Sequence, residues 1–288
     1  EERNMRFIID NYTTASSSQA LYFAEHINAM EEHEVYMLKQ GKESIFDAFD
    51  RFGPDVYITS TSLLSRDAVM YITQQKNINL IVSINGTNNN DVLEIESAIL
   101  QSKINCPFFI SNLRDDKQPM TKKIKVIRFM ESVDTNFDDQ VSVNYNIDKL
   151  VIAGKETPNI RNYHGTFHVA SNDQKMANVA DLCLPINVLN PLLGNYKEVV
   201  FQEFGNYIPQ LFFHSLAIGK PTYYDLEDQD KSDIVDDTCD KVFGVGNKLN
   251  YSCVDKITDF KDLQEKVLAK HTSSNRVKSL LSQIPKKK

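Results

Sequence analysis

The stretch Glu203-Phe204-Gly205-Asn206-Tyr207 stands directly before an apolar helical pattern, and that order suits an anion. Leu211, Phe212, Leu216 and Ala217 share one face and predict a helix over 207–217. The first amides of a helix have no intrahelical acceptor, and Gly205 lets a ligand approach the backbone. Gly205, Asn206 and Tyr207 are therefore candidate ligands for a phosphate at the positive end of the helix dipole. A second pattern is basic: Lys117, Lys122, Lys123, Lys125 and Arg128, with Arg114. Such a run either contacts nucleic-acid phosphates or is a solvated face. A third is acidic, Asp225-Leu-Glu-Asp-Gln-Asp230. It reads as a solvated loop after a strand, and no metal site is expected.

Other chemistries are excluded by what these spacings lack. A dinucleotide fold needs G-x-G-x-x-G after a strand, yet the first apolar stretch is followed by NYTTASSSQ, without glycine. The one G-x-G, Gly244-Val-Gly246, comes late, and no P-loop lysine is present. Cys106, Cys183, Cys239 and Cys253 have no metal-site spacing, so reduced core thiols and a cytoplasmic location are expected. A net charge of −7 opposes nonspecific attraction to polyanions but leaves a local basic face open. No apolar run is long enough to span a bilayer, and the opening EERNMRF has no apolar leader stretch.

The elements that position these residues alternate. Strands are predicted at 5–10, 34–38, 55–60, 78–84, 107–111 and 124–130, with helices at 18–30, 43–51, 65–75 and 90–102. The polar stretch 134–148 reads as a linker. Beyond it come strands at 149–153, 166–169, 182–186, 221–224 and 241–245, and helices at 173–180, 207–217, 231–238, 259–270 and 274–284. Two helix-to-strand units, DQKMANVADLCLPI and FFHSLAIGKPTYYD, have the form of a parallel sheet. At 288 residues the chain is long enough for two α/β domains, each a doubly wound sheet.

The wording of those units carries a resemblance. Ala180-Asp-Leu-Cys-Leu-Pro185 followed by Ser215-Leu-Ala-Ile-Gly-Lys-Pro221 resembles the donor-binding half of GT-B glycosyltransferases. Earlier phrases are similar too: Glu32-His-Glu-Val-Tyr-Met-Leu38, Phe52-Gly-Pro-Asp-Val-Tyr-Ile58, Ile78 to Gly86, Ser132 to Phe137, and Leu150-Val-Ile-Ala-Gly154. The close, Leu268 to Leu281, resembles that of the CgeB-like group. The resemblance implies two Rossmann-like domains facing a cleft, with the acceptor side at 1–137 and the nucleotide-sugar donor side at 138–288.

It also implies roles. Glu203 and His214 fall where the family has two Glu residues that contact donor ribose and sugar hydroxyls; His214 departs from that pattern. Asn85 stands where the family often has His, able to orient a substrate but not to act as a base. The family's basic phosphate ligands have no direct counterpart, and Lys155, after Gly154, and Arg161 are the nearest substitutes. Ser16, Ser17 and Ser18 occupy the turn that often faces the diphosphate, or simply cap the first helix. The expectation is a hexosyltransferase using a UDP-sugar, retaining and without metal or other cofactor. The expected acceptor is a hydroxymethylated or already glucosylated DNA base bound through Lys122, Lys123 and Arg128, or else a cell-surface glycan or a protein. A non-catalytic GT-B scaffold is the alternative.

Overall fold

The computed structural model describes residues 4–10, 19–38, 41–60, 66–74, 80–84, 108–110, 133, 142–143, 146–153, 163–171, 180–182, 189–202 and 209–282. The described residues up to Ile110, with Ser273–Ser282, form one compact unit; those from Val133 to Thr272 form the other.

In the first unit a parallel sheet has the order β2-β1-β3-β4-β5. Its strands are β1 (Arg6–Asp10), β2 (Glu34–Leu38), β3 (Val56–Ser60), β4 (Leu80–Ile84) and β5 (Phe108–Ile110). Helices α1 (Gln19–Asn28), α2 (Ile45–Phe52) and α3 (Arg66–Gln74) alternate with them. Alternation along β1 and β3 divides their side chains between two faces. Phe7, Ile9, Val56 and Ile58 pack under Ala20, Phe23, Ala24 and Ile27 of α1. On the opposite face Phe49 of α2 meets Tyr57 edge to face, with ring centroids 5.1 Å apart. Helix α2 begins at Ser44, whose hydroxyl accepts from the Phe46 amide, and stops at Gly53 in the left-handed region.

The second unit has a parallel sheet of order β7-β6-β8-β9. Its strands are β6 (Lys149–Ala153), β7 (Phe167–Ser171), β8 (Glu198–Phe201) and β9 (Thr222–Tyr224). Helices α4 (Gln210–Ala217), α5 (Gln229–Phe243) and α6 (Lys261–Lys270) belong to it, and α7 (Ser273–Ser282) closes the described chain. At the amino edge of this sheet, Lys149 Nζ lies 2.6 Å from Glu198 Oε1 and donates to the His164 carbonyl at 3.0 Å. The first residues of β6 and β8 are thereby tied.

Three differences from the sequence reading have physical causes. Residues 241–245 are not a strand: α5 runs from its Asp228 cap to Phe243, and Gly244 ends it at φ 71°. The buried spacing Val235, Cys239, Phe243 is helical, whereas Lys241-Val-Phe taken alone looks extended. Strand β8 was missed because Glu198-Val-Val-Phe201 is too short to show periodicity, yet it lies between β6 and β9. Helix α7 packs with the first unit, Val277 and Leu280 entering the cluster of α1, β1 and β3, although a split at 137 assigns it to the second. The expected helix at 90–102, the strand at 124–130 and most of the helix at 173–180 and of the strand at 182–186 lie outside the described residues; Leu182 makes an isolated parallel bridge to Ala170.

Candidate functional site

In a doubly wound sheet, ligands bind beyond the carboxyl ends of the strands where the strand order reverses. In the first unit that point lies between β1 and β3, since the chain passes from β1 to β2 on one side and to β3 on the other. Asp10 is the last residue of β1 and is 3% exposed. Its Oδ2 accepts from the hydroxyls of Tyr57 and Thr59, both on β3. Burial raises the Asp10 carboxyl above its ordinary value and outweighs the two hydroxyl bonds, which act to lower it. Burial, with the neighbouring Asp10 charge, also pushes the Tyr57 phenol well up.

In the second unit the reversal lies between β6 and β8. Gln202 follows β8, and its backbone amide donates to the Ile152 carbonyl of β6 at 2.9 Å. Its Nε2 donates to the Tyr163 hydroxyl at 2.7 Å, and that hydroxyl donates to Asp225 Oδ2 at 2.7 Å. Asp225 follows β9, with its backbone amide on the Phe201 carbonyl at 2.8 Å. Tyr163 is 8% exposed and lies against Val151, Ala153, Val169 and Val200 on one sheet face. Desolvation and the Asp225 contact raise its phenol, which stays protonated.

The acidic run is thus divided by the fold. Asp225 is held by Tyr163, Asp228 caps α5 by accepting from the Lys231 amide at 3.1 Å, and Gln229 and Asp230 are already helical. Residues 227–230 are exposed, as a solvated stretch would be. Among the described residues no group of His, Cys, Asp and Glu could hold a metal ion. Cys239 is buried in α5, where desolvation raises its thiol, and it is a free cysteine, as is Cys253.

Among the candidate catalytic and ligand-binding residues, His214 is described. Every residue of α4 is buried, and His214 is 4% exposed. Burial lowers its pKa to about 4, so the imidazole is neutral at physiological pH. The candidates Ser17, Asn85, Lys122, Lys123, Arg128, Gly154, Lys155, Arg161, Glu203, Gly205, Asn206 and Tyr207 lie outside the described residues. In the sequence, Asn85 and Gly154 are the next residues after β4 and β6, and Glu203 follows Gln202. The two polar clusters were not anticipated. Their signal was a polar residue closing an otherwise apolar strand, as in Arg6-Phe-Ile-Ile-Asp10, and polar positions alternating with Val56 and Ile58.

Sucrose-phosphate synthase from Thermosynechococcus elongatus superposes with a TM-score of 0.59, covering 97% of this chain and 98% of that one, at 8% identity. The chain has the GT-B fold. The glycosyltransferase SsfS6 of Streptomyces sp. SF2575 matches with a TM-score of 0.51 over 97% of this chain and 100% of that one, at 11% identity. An α-glucosyltransferase solved with UDP and a 13-mer DNA containing an HMU base gives 0.52 over 98% and 96%, at 10% identity. No protein-family model and no curated protein sequence matches the chain. Among the described residues no helix is long and apolar enough to cross a membrane.

Proposed function

We propose that this GT-B chain is a glycosyltransferase that moves a hexose from a UDP-sugar to an acceptor hydroxyl. The observation that supports this reading is the likeness, over nearly the full length of each chain, to structures described as glycosyltransferases, one of them solved with UDP. The second unit takes the donor. Its diphosphate is received by Gly205, Asn206 and Tyr207 and by Ser17, Gly154, Lys155 and Arg161, while Glu203 accepts from donor hydroxyls. The acceptor oxygen bonds to the anomeric carbon as the bond from that carbon to the diphosphate oxygen breaks. The acceptor proton passes to the leaving phosphate on the same face, so configuration is retained and no metal or protein base is required.

The acceptor is a hydroxymethylated base in DNA, gripped through phosphates by Lys122, Lys123 and Arg128, with Asn85 orienting a substrate. The basic run favours this acceptor, and one structural neighbour was solved with DNA. The donor reading is tested by melting the protein with millimolar UDP, GDP or ADP in the presence of EDTA. A ligand at about 100 times its dissociation constant adds about 2.7 kcal/mol. UDP should give the largest shift, unchanged by the chelator; no shift with any nucleotide overturns the donor reading in favour of a non-catalytic scaffold.

A further inference from the structure

Asp10 is a carboxyl buried where a ligand is expected, and no cation accompanies it. It ends β1 at the reversal of the first sheet, the point beyond which a doubly wound sheet binds. Among the described residues no Lys, Arg or His pairs with it; its partners are the neutral hydroxyls of Tyr57 and Thr59, both on Oδ2. The described elements around it add no other charge. β2 sets Leu38 opposite Asp10, and Phe49 of α2 meets the Tyr57 ring. Tyr57 is the titratable neighbour, and its phenol is pushed well up and stays protonated. A carboxylate held by two hydroxyl dipoles, without a counter-charge, answers to the potential at its position. A second negative charge nearby favours its neutral form, and burial already moves it that way. Its Oδ1 has no hydrogen-bond partner among the described residues, so a proton added there leaves both bonds to Oδ2 in place.

We propose that Asp10 takes up a proton from solvent when the diphosphate of a donor binds at the carboxyl end of the first sheet, so that donor binding strengthens as pH falls. This rests on the glycosyltransferase reading, in which Ser17, which follows β1 in the sequence, meets the diphosphate. The proton adds to Oδ1, and no bond of the donor changes. Where the free carboxyl is already protonated, the donor meets a neutral group and takes up no proton. Where it stays charged, it opposes the donor.

The test is calorimetric titration of the full chain with UDP between about pH 5 and pH 8, for the wild type and Asp10→Asn. Each pH is run in two buffers of different ionisation heat, which gives the protons taken up on binding. Asn keeps an acceptor for the two hydroxyls and is neutral at every pH. At the alkaline end the variant should bind UDP more tightly than the wild type, by up to about tenfold, the scale of one nearby like charge. The gap should close as pH falls. Across the range the wild type should take up more protons per UDP bound than the variant; ionisation of UDP itself is common to both proteins and cancels. Infrared difference spectra of the wild type alone, bound minus free, should gain a protonated-carboxyl band. Parallel affinity profiles, equal proton uptake or no gain of that band overturns the coupling and leaves nucleotide binding standing. Absence of UDP binding to either protein overturns it together with the glycosyltransferase reading.

Discussion

Tyr57 donates its hydroxyl proton to Oδ2 of Asp10, joining β3 to the end of β1 across 47 residues of sequence. Thr59 donates to the same oxygen, so one buried carboxyl satisfies two hydroxyls of the neighbouring strand. Asp10→Ala leaves both donors buried without that acceptor, and a loss of about 2–4 kcal/mol is expected. The folded carboxyl binds its proton more readily than the ordinary value of 3.8. The native state thus holds more protons than the unfolded chain as pH rises from that value through the folded pKa, and stability falls across that interval. Asp10→Asn, whose carbonyl still accepts, should cost less than Asp10→Ala and should flatten that fall. Urea unfolding at a series of pH values measures both effects.

His214 titrates in the opposite sense. Its pKa falls from 6.5 to about 4 on burial, so between those values the unfolded chain binds a proton that the native state refuses. Stability is complete above pH 6.5 and is lost as pH drops through about 4, by up to about 3 kcal/mol. His214→Leu cannot titrate and should flatten this acid limb. Urea midpoints at neutral and acid pH for both proteins measure the difference; an unchanged slope in the variant would assign the acid limb to other groups.

Gly219 ends α4 in the left-handed region at φ 73°, and a Cβ there would lie 3.1 Å from Gln264 Oε1. That side chain is not free to retreat without cost, since its Nε2 donates to the Ala217 carbonyl at 2.8 Å. Gly219→Ala should destabilise by about 1–2 kcal/mol, chiefly through the backbone. Chemical denaturation gives the number, and a neutral result would mean that the turn relaxes.

The DNA acceptor makes a prediction about salt. Each phosphate neutralised contributes a log–log slope near −0.9 on duplex DNA. Changing Lys122, Lys123 and Arg128 to Ala should flatten the slope by up to three contacts' worth while nucleotide affinity stays unchanged. The measurement is a salt titration with plain and hydroxymethylated duplexes. Absence of binding to either duplex at low salt would return the acceptor to a glycan or protein.

Local pattern determined much of the fold from the sequence alone. β2 and β6 lie where alternation and apolar runs put them, because a strand's periodicity is a property of adjacent residues. Gly219 marked the end of α4 for a similar reason, since left-handed backbone favours glycine wherever the turn occurs. The tertiary structure decided what depends on distant partners. β8 gains its place from the ladders to β6 and β9 rather than from its four residues. α7 joins the first unit because Val277 and Leu280 fit its core. His214, read from a family phrase as a donor contact, lies in a helix buried at every residue, and burial is decided by what packs around a helix rather than by its own sequence. In the Asp10–Tyr57–Thr59 and Gln202–Tyr163–Asp225 clusters, which residues pair was likewise decided by the fold. Their hydrogen bonds span 39 to 62 residues of chain, and parallel pairing brings those residues together only once each sheet has formed.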